Sequence, residues 1–462
     1  MLWVILLVMP GMTVSPARAQ DTPGQPTPAP EPPAAAAAEP EERTTGLPKA
    51  VEWTFNFDAT WGTFGFANSL YRNPREDIDA DLSDQWFEGS VKPALSGHHR
   101  FRDDSEIYGK LSAVGARTYG SAPNLVGDDV SSFKPEDFYI GWRSNHSFLE
   151  RFDDNTFDVS IGRVPYKLGH GMLLSDGAAE GGSRGGYWTN ARKAFSFGTI
   201  ARFTPGPHHL IEGFYLDKDD LPENDIGTRL TGINYEYSIG EHSTLGATYM
   251  KFWAHSDLKP ERDGLNVINL RAYVTPITAV PQATVEFEYA SERNGDLLHS
   301  NAWTLQGSYE LSHVTWKPML TYRYAFFQGD DGDTARNENF DPLLPGFHDW
   351  GTWWQGEIAG EYFLSNSNLM THLARVHVTP RDSISGGLLF FKYLIDQPET
   401  FAPGVTATSL AFESDLYVDW KINGNFTLSV VAAFANPQTA AREAFDRSRN
   451  FGYGMVFLAY SY

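Results

Sequence analysis

From Val51 onward the chain alternates apolar and polar residues with a period of two. VEWTFNFDATW sets Val51, Trp53, Phe55, Phe57, Ala59 and Trp61 against Glu52, Thr54, Asn56, Asp58 and Thr60. Successive side chains of a strand point to opposite faces, so this predicts a strand with one apolar and one polar side. ATVEFEYASE opposes Val285, Phe287 and Tyr289 to Thr284, Glu286 and Glu288. AWTLQGSYEL opposes Trp303, Leu305 and Tyr309 to Thr304, Gln306, Ser308 and Glu310. LAFESDLYVDW opposes Leu410, Phe412, Leu416, Val418 and Trp420 to Glu413, Asp415, Tyr417 and Asp419. The chain ends on MVFLAYSY, still alternating, with Val456, Leu458, Tyr460 and Tyr462 on one face.

Alternation also suits a soluble sandwich, and three further features decide against one. Short turns (204–207, 310–314, 379–383) alternate with long polar loops (168–189, 329–349). Aromatics crowd the strand ends. The final aromatic, with apolar residues two, four and six positions upstream, resembles the C-terminal signature of bacterial outer-membrane proteins. Together these predict an all-β fold, a transmembrane antiparallel β-barrel. In lipid every backbone group must pair, so a terminal strand that closes the sheet cannot fray. Nineteen segments alternate, yet two termini on one side of the membrane demand an even number. The odd one is GTWWQGEIAGEYFL, where Trp354, Ile358 and Tyr362 recur every four residues and Thr352 with Gln355 forms a capping-box start. We read residues 350–364 as a short helix in a long extracellular loop, leaving about 18 strands.

Composition agrees with a two-faced β protein: 13 Trp, 21 Tyr, 31 Phe and 42 Gly, with 41% hydrophobic residues. Cysteine is absent, which excludes disulfides, thiolate metal sites and a cysteine nucleophile. A net charge of -22 argues against a nucleic-acid partner, which needs a basic face. Residues 1–19 read as a signal peptide, with LWVILLVMPGM followed by Ala17-Arg18-Ala19. Residues 20–48, rich in Pro, Ala and Glu, cannot bury a core and are expected to be a disordered periplasmic segment. The barrel is expected over 49–462.

Strand parity assigns charges to the lumen. In RKAFSFGTIARF, Phe195, Phe197 and Phe203 face lipid, so Arg192 and Arg202 point inward with Ser196 and Gly198. In NVINLRAYV, Ile268, Leu270 and Ala272 face out and Arg271 faces in. VTWKPMLTYRYAF places Trp316, Leu320, Tyr322 and Tyr324 outside, with Lys317 and Arg323 inside. Arg375 and His377 follow in HLARVHV, and Arg143 in FYIGWR. A charge on the lipid face costs roughly 2–4 kcal/mol at mid-membrane, which favours the inward assignment. Arg163 shares parity with Val159 and Ile161, so it needs a bulge at Gly162 or an interfacial position to reach the lumen. Rows of guanidinium pair bidentately with carboxylates and would form an anion track. Inward Glu286, Glu288, Glu310, Glu413, Asp415 and Asp419 could instead pair with these cations and pack a plugged lumen.

Other chemistry is sparse. His170, Ser175 and Asp176 in GHGMLLSDG are too close in sequence for a working hydrolase triad. His98-His99 and His208-His209 sit at turns, where solvation competes with metal binding. The acidic run containing Asp330, Asp331, Asp333 and Asp341 could hold a structural Ca2+ through oxygen ligands, but it lacks the EF-hand spacing. No cofactor and no enzymatic activity are expected.

The stretch RYAFFQGDDGDTARNENFDPLLPGFHDWGTWWQGEIAGEYFLSNSNL resembles the alginate export family of outer-membrane barrels. GRVPYKLGHGMLL and YWTNARKAFSF look like that family's Gly-Arg strand and its Trp…Arg partner. The resemblance implies an eighteen-stranded barrel whose basic lumen passes an anionic, uronate-rich polysaccharide outward. It also implies outer-membrane lipid, lipopolysaccharide and periplasmic polysaccharide-secretion proteins as partners. The other reading of the same lumen is an uptake porin for small sugars or organic anions.

Overall fold

The computed structural model describes residues 51–69, 84–120, 122, 129–144, 156–175, 177–255, 258–277, 279–346, 348–349, 352–353, 355–446 and 448–462. The expected signal peptide and Pro/Ala-rich segment lie outside these residues. The first strands are β1 (Glu52–Ala67), β2 (Asp84–Arg100), β3 (Glu106–Gly120), β4 (Asp129–Arg143), β5 (Phe157–Arg163) and β6 (Phe197–Phe203). There follow β7 (His209–Asp217), β8 (Arg229–Ile239), β9 (Ser243–Trp253), β10 (Asn266–Val274), β11 (Ala283–Asn294), β12 (Leu298–Glu310) and β13 (Met319–Phe327). A two-residue hairpin, β14 (His348–Asp349) and β15 (Thr352–Trp353), stands apart from the wall. The wall resumes with β16 (Leu369–Arg381), β17 (Ile384–Ile395), β18 (Ser409–Lys421), β19 (Phe426–Pro437) and β20 (Phe451–Ser461).

All eighteen wall strands form one antiparallel sheet, and β20 pairs with β1 to close it. Tyr462 exchanges two backbone hydrogen bonds of 3.0 Å with Phe57, so the last residue is tied into the seam. Closure removes the unpaired edge that hydrocarbon could not solvate. Among the described residues no helix is long and apolar enough to cross a membrane.

The alternation sorts as the sequence predicts. In β18, Phe412, Leu416, Val418 and Trp420 are exposed on the outside, whereas Glu413, Asp415, Tyr417 and Asp419 are buried inside. Leu410 departs from its parity and is buried, because the β17 pairing slips at Tyr393/Leu394. Phe195 also departs: β6 starts only at Phe197, and Phe195 is fully buried in the interior.

The longest connections lie at one rim. Two long connections, 164–196 and 328–368, fold into the lumen. They pack Leu168, Met172, Leu173 and Leu174 with Phe340, Leu343, Leu344 and Ile358 in the main apolar cluster. A parallel bridge, Leu174 to Leu344, joins them. The Ser175 N–H donates to the Leu344 carbonyl at 2.9 Å, and the Leu344 N–H to Leu173 at 3.0 Å.

The ambiguous segment is helical, but over Gly356–Phe363 and as a π-helix. It lies against the inner wall, with Glu357, Ile358 and Ala359 fully buried. Gln355 makes no side-chain capping bond, contrary to the capping-box expectation. The wall supplies the cap instead. The N–H groups of Ile358 and Ala359 each donate to Glu413 at 2.8 Å, and that of Glu357 to Asp415 at 3.3 Å.

Candidate functional site

Loop 164–196 leaves the wall at β5, returns at β6, and reaches two distant parts of the ring. On one side, Glu88 of β2 accepts the backbone N–H groups of Trp188 and Thr189 at 2.9 and 3.0 Å. Thr118 of β3 accepts the N–H of Gly186 at 2.7 Å. On the other side, His170 stacks on Tyr273 of β10 at 3.9 Å and pairs with Glu286 of β11 at 3.1 Å. Gly169 and Gly171 bracket that tip at φ +53° and +92°, which side-chain-bearing residues rarely adopt. A Cβ at Gly169 would also lie 2.6 Å from the Tyr273 hydroxyl. The loop therefore spans the lumen.

Where the loop leaves the wall, three guanidiniums meet one carboxylate. Asp219, on the β7–β8 connection, binds Arg163 at 2.7 Å, Arg184 at 2.9 Å, and Arg192 through Nη2. Burial opposes ionisation of Asp219, yet the Arg163 hydrogen bond and the three guanidinium charges hold its carboxyl below the ordinary value. Arg163 reaches this point because Gly162 adopts φ +130°, where an added Cβ would sit 2.2 Å from the Phe138 carbonyl. Arg192 also lies 3.6 Å from Glu136, and Glu136 accepts the N–H groups of Lys193 and Ala194.

The other expected lumen cations are distributed around the wall. Arg143 pairs with Asp158 at 2.6 Å and lies over the Tyr108 ring at 4.2 Å. Arg202 pairs with Glu212 at 2.8 Å. Arg271 is buried and donates to Thr248, Asn234 and Glu236 at 2.8, 2.6 and 3.0 Å. Arg323 and Arg375 are buried on β13 and β16, and Arg375 donates to Thr321 at 3.3 Å. Lys317 corrects its expectation. With Trp316 it turns at positive φ just before Pro318, and it is exposed at the short-turn rim before β13 begins. The interior is thus a mixed lattice in which basic groups are shared with acids and amides.

Several of its members escaped the parity argument: Glu88, Glu136, Arg184, Asp219 and Arg262. A second anchor is Asp341, which binds Arg262 at 2.5 Å and Lys259 at 3.2 Å. Burial works against its charge, but those two cations pull its carboxyl down to about 2. The calcium expectation is corrected as well. Asp330 accepts the Glu338 N–H at 2.8 Å and Asp331 the Asp333 N–H at 3.0 Å, so these acids cap their own loop. No group of three or more His, Asp or Glu that could hold a metal is found among the described residues. His98 pairs with Glu52 at 3.2 Å, His99 packs edge-on to Phe101 at 5.0 Å, and His208 and His209 contact Ser238 and Tyr235. Of the hydrolase-like trio, His170 ties the loop tip, Ser175 holds Leu344 through its backbone, and Asp176 lies outside the described residues.

No family model matches the chain, and no curated protein matches it. Solved barrels do. The fold is similar to that of Pseudomonas aeruginosa OccK7 (OpdD), with a TM-score of 0.52 at 9% identity over 89% of this chain and 99% of that one. Acinetobacter baumannii OccAB2 gives 0.55 at 12% over 88% and 98%. Pseudomonas aeruginosa OpdK, solved with vanillate, gives 0.51 at 11% over 88% and 98%. At these identities the likeness concerns the fold. These barrels are Occ/Opd porins, which overturns the alginate-export resemblance and the polysaccharide-export function drawn from it. The chain is a closed eighteen-stranded antiparallel β-barrel with the fold of these porins.

Proposed function

We propose that the chain is an uptake porin for small organic anions. The observation that carries this reading is the convergence of Arg163, Arg184 and Arg192 on the single carboxylate of Asp219, inside a lumen bridged by two inward loops. Even with Glu136 beside Arg192, three guanidiniums face two carboxylates, so an incoming carboxylate meets surplus positive charge there. Arg143, Arg202, Arg271, Arg323 and Arg375 extend the basic lining, but their pairing with acids and amides keeps each site weak. Weak successive sites let a solute leave as readily as it enters. The inward loops also argue against a polymer, which would have to displace the buried Leu174–Leu344 contact along its whole length. In this reading the long-loop rim faces outward and the N-terminal segment lies in the periplasm.

The test is reconstitution in planar bilayers and liposomes. Reversal potentials in a KCl gradient should show anion preference, and a small carboxylate should enter faster than a neutral sugar of equal size. The preference should weaken as salt rises, because screening shortens the reach of partly hydrated charges. Cation selectivity, or equal passage of the neutral sugar, would sink the proposal.

A further inference from the structure

At the junction of the two inward loops lies a cavity of about 320 Å3, lined by Glu180, Tyr187, Asn190, Lys218, Leu343 and Leu344 among others. Its volume is at the low end for small-ligand sites and suits one small acid. Both carboxyl oxygens of Glu180 are buried, and neither has a hydrogen-bond partner among the described residues. Leaving a buried polar group without a partner is costly unless something enters to complete it.

Two ligand chemistries could complete a carboxyl: a cation, or an acceptor to which the neutral acid donates. The surrounding charge decides between them. The ion pairs running from this junction link five cations (Lys92, Lys110, Arg163, Arg184 and Arg192) with three carboxylates (Glu136, Asp137 and Asp219). Lys218 is balanced separately by Asp220 at 2.8 Å. The surplus is positive whether Glu180 is charged or neutral, so the fitting ligand is an anion. We propose that this cavity receives the carboxylate of the transported solute, with the Glu180 carboxyl as hydrogen-bond donor and the positive surplus of the surrounding ion-pair network as counter-charge. This rests on the porin reading and gives it a location.

Titration agrees with the donor role. Burial is the largest influence on Glu180; Arg192, Arg184 and Lys193 pull its carboxyl down, Glu136 pushes it up, and the outcome is a value of about 8. The acid form therefore prevails at pH 7 and is lost as pH rises through that value. Of a group titrating there, the neutral fraction falls from about 0.9 at pH 7 to about 0.1 at pH 9.

Benzoate is the probe, read as concentration-dependent block of single-channel current. Block by benzoate should weaken about tenfold between pH 7 and pH 9. Glu180→Gln keeps a neutral donor and should make the block independent of pH. Glu180→Ala removes it and should weaken block about tenfold at pH 7, the size expected for one hydrogen bond to a charged group. Heat-modifiable mobility on gels establishes that each variant is a folded barrel. Unchanged block in folded Glu180→Ala, or unchanged block at pH 9, overturns this site. If benzoate still permeates and the channel still prefers anions in that case, the porin reading stands without it. If benzoate neither blocks nor permeates and the channel prefers cations, both fall.

Discussion

Replacing Asp219 by Asn removes one charge and leaves the side-chain shape nearly unchanged. Its backbone bonds, including the 2.8 Å donation to the Gly177 carbonyl, do not involve the carboxylate and survive. Three cations lose their common partner, and two of them are deeply buried: the Arg192 and Arg184 side chains are only 2% and 8% exposed. Breaking a buried pair by removing one member costs about 3–5 kcal/mol, because the remaining charge stays desolvated. Here the remaining charges also repel one another. The eighteen-strand ladder is untouched, so the cost falls on loop 164–196 rather than on the wall. In single-channel recordings the variant should open and close more often, and its reversal potential should shift further toward anions. The unmutated channel offers a matching pH arm. A carboxyl held below its ordinary value lends stability above that value and loses it as pH falls through the lowered one, so strong acid should reproduce the variant's noise. If Asp219→Asn shows neither new gating nor a selectivity shift, the Arg–Asp219 junction does not anchor the loop and the reasoning fails.

Glu413→Ala strips the cap from the π-helix, leaving the buried Ile358 and Ala359 N–H groups unpaired at about 1–3 kcal/mol each. Conductance should become larger or noisier while heat-modifiability is kept, and a silent variant would show that the wall does not hold the helix. Gly162→Val forces a branched side chain into a positive-φ position 2.2 Å from a backbone carbonyl, so it should lower assembly yield or misdirect Arg163. Normal assembly together with normal selectivity would contradict that. Removing Leu458–Tyr462 deletes four of the ten β20–β1 register pairs, and recovery of folded barrel in the outer membrane would contradict the closure argument.

The wall was legible because a strand in lipid obeys a single rule, the two-residue alternation. That rule places Arg271, Arg323 and Arg375 inside without any structure, and the alternation around Trp86, Glu88 and Ser90 would have placed Glu88 there too. It fails where strands end. Phe195 and Lys317 lie just outside strands whose limits are set by inward loop packing and by a positive-φ turn before Pro318, and neither limit is written in the alternation. The junction at Asp219 was illegible for another reason. Its partners come from β5, from two places in one loop and from another connection, and a single sequence does not show that they meet. One faint signal existed: Glu180 and Arg184 are the only charges in GAAEGGSRGG, a stretch otherwise built of small residues.

The Leu174–Leu344 bridge separates two properties that strand number would otherwise join. In an unobstructed ring, the number of staves fixes the bore. Here the aperture is cut by an insert held by a few side-chain anchors and one short backbone bridge, while the hoop around it is fixed by continuous strand pairing. Drift in those few contacts can therefore re-bore the passage without disturbing the hoop or its insertion into the membrane. Two such proteins could keep the same hoop, retain almost no common sequence, and admit different cargo.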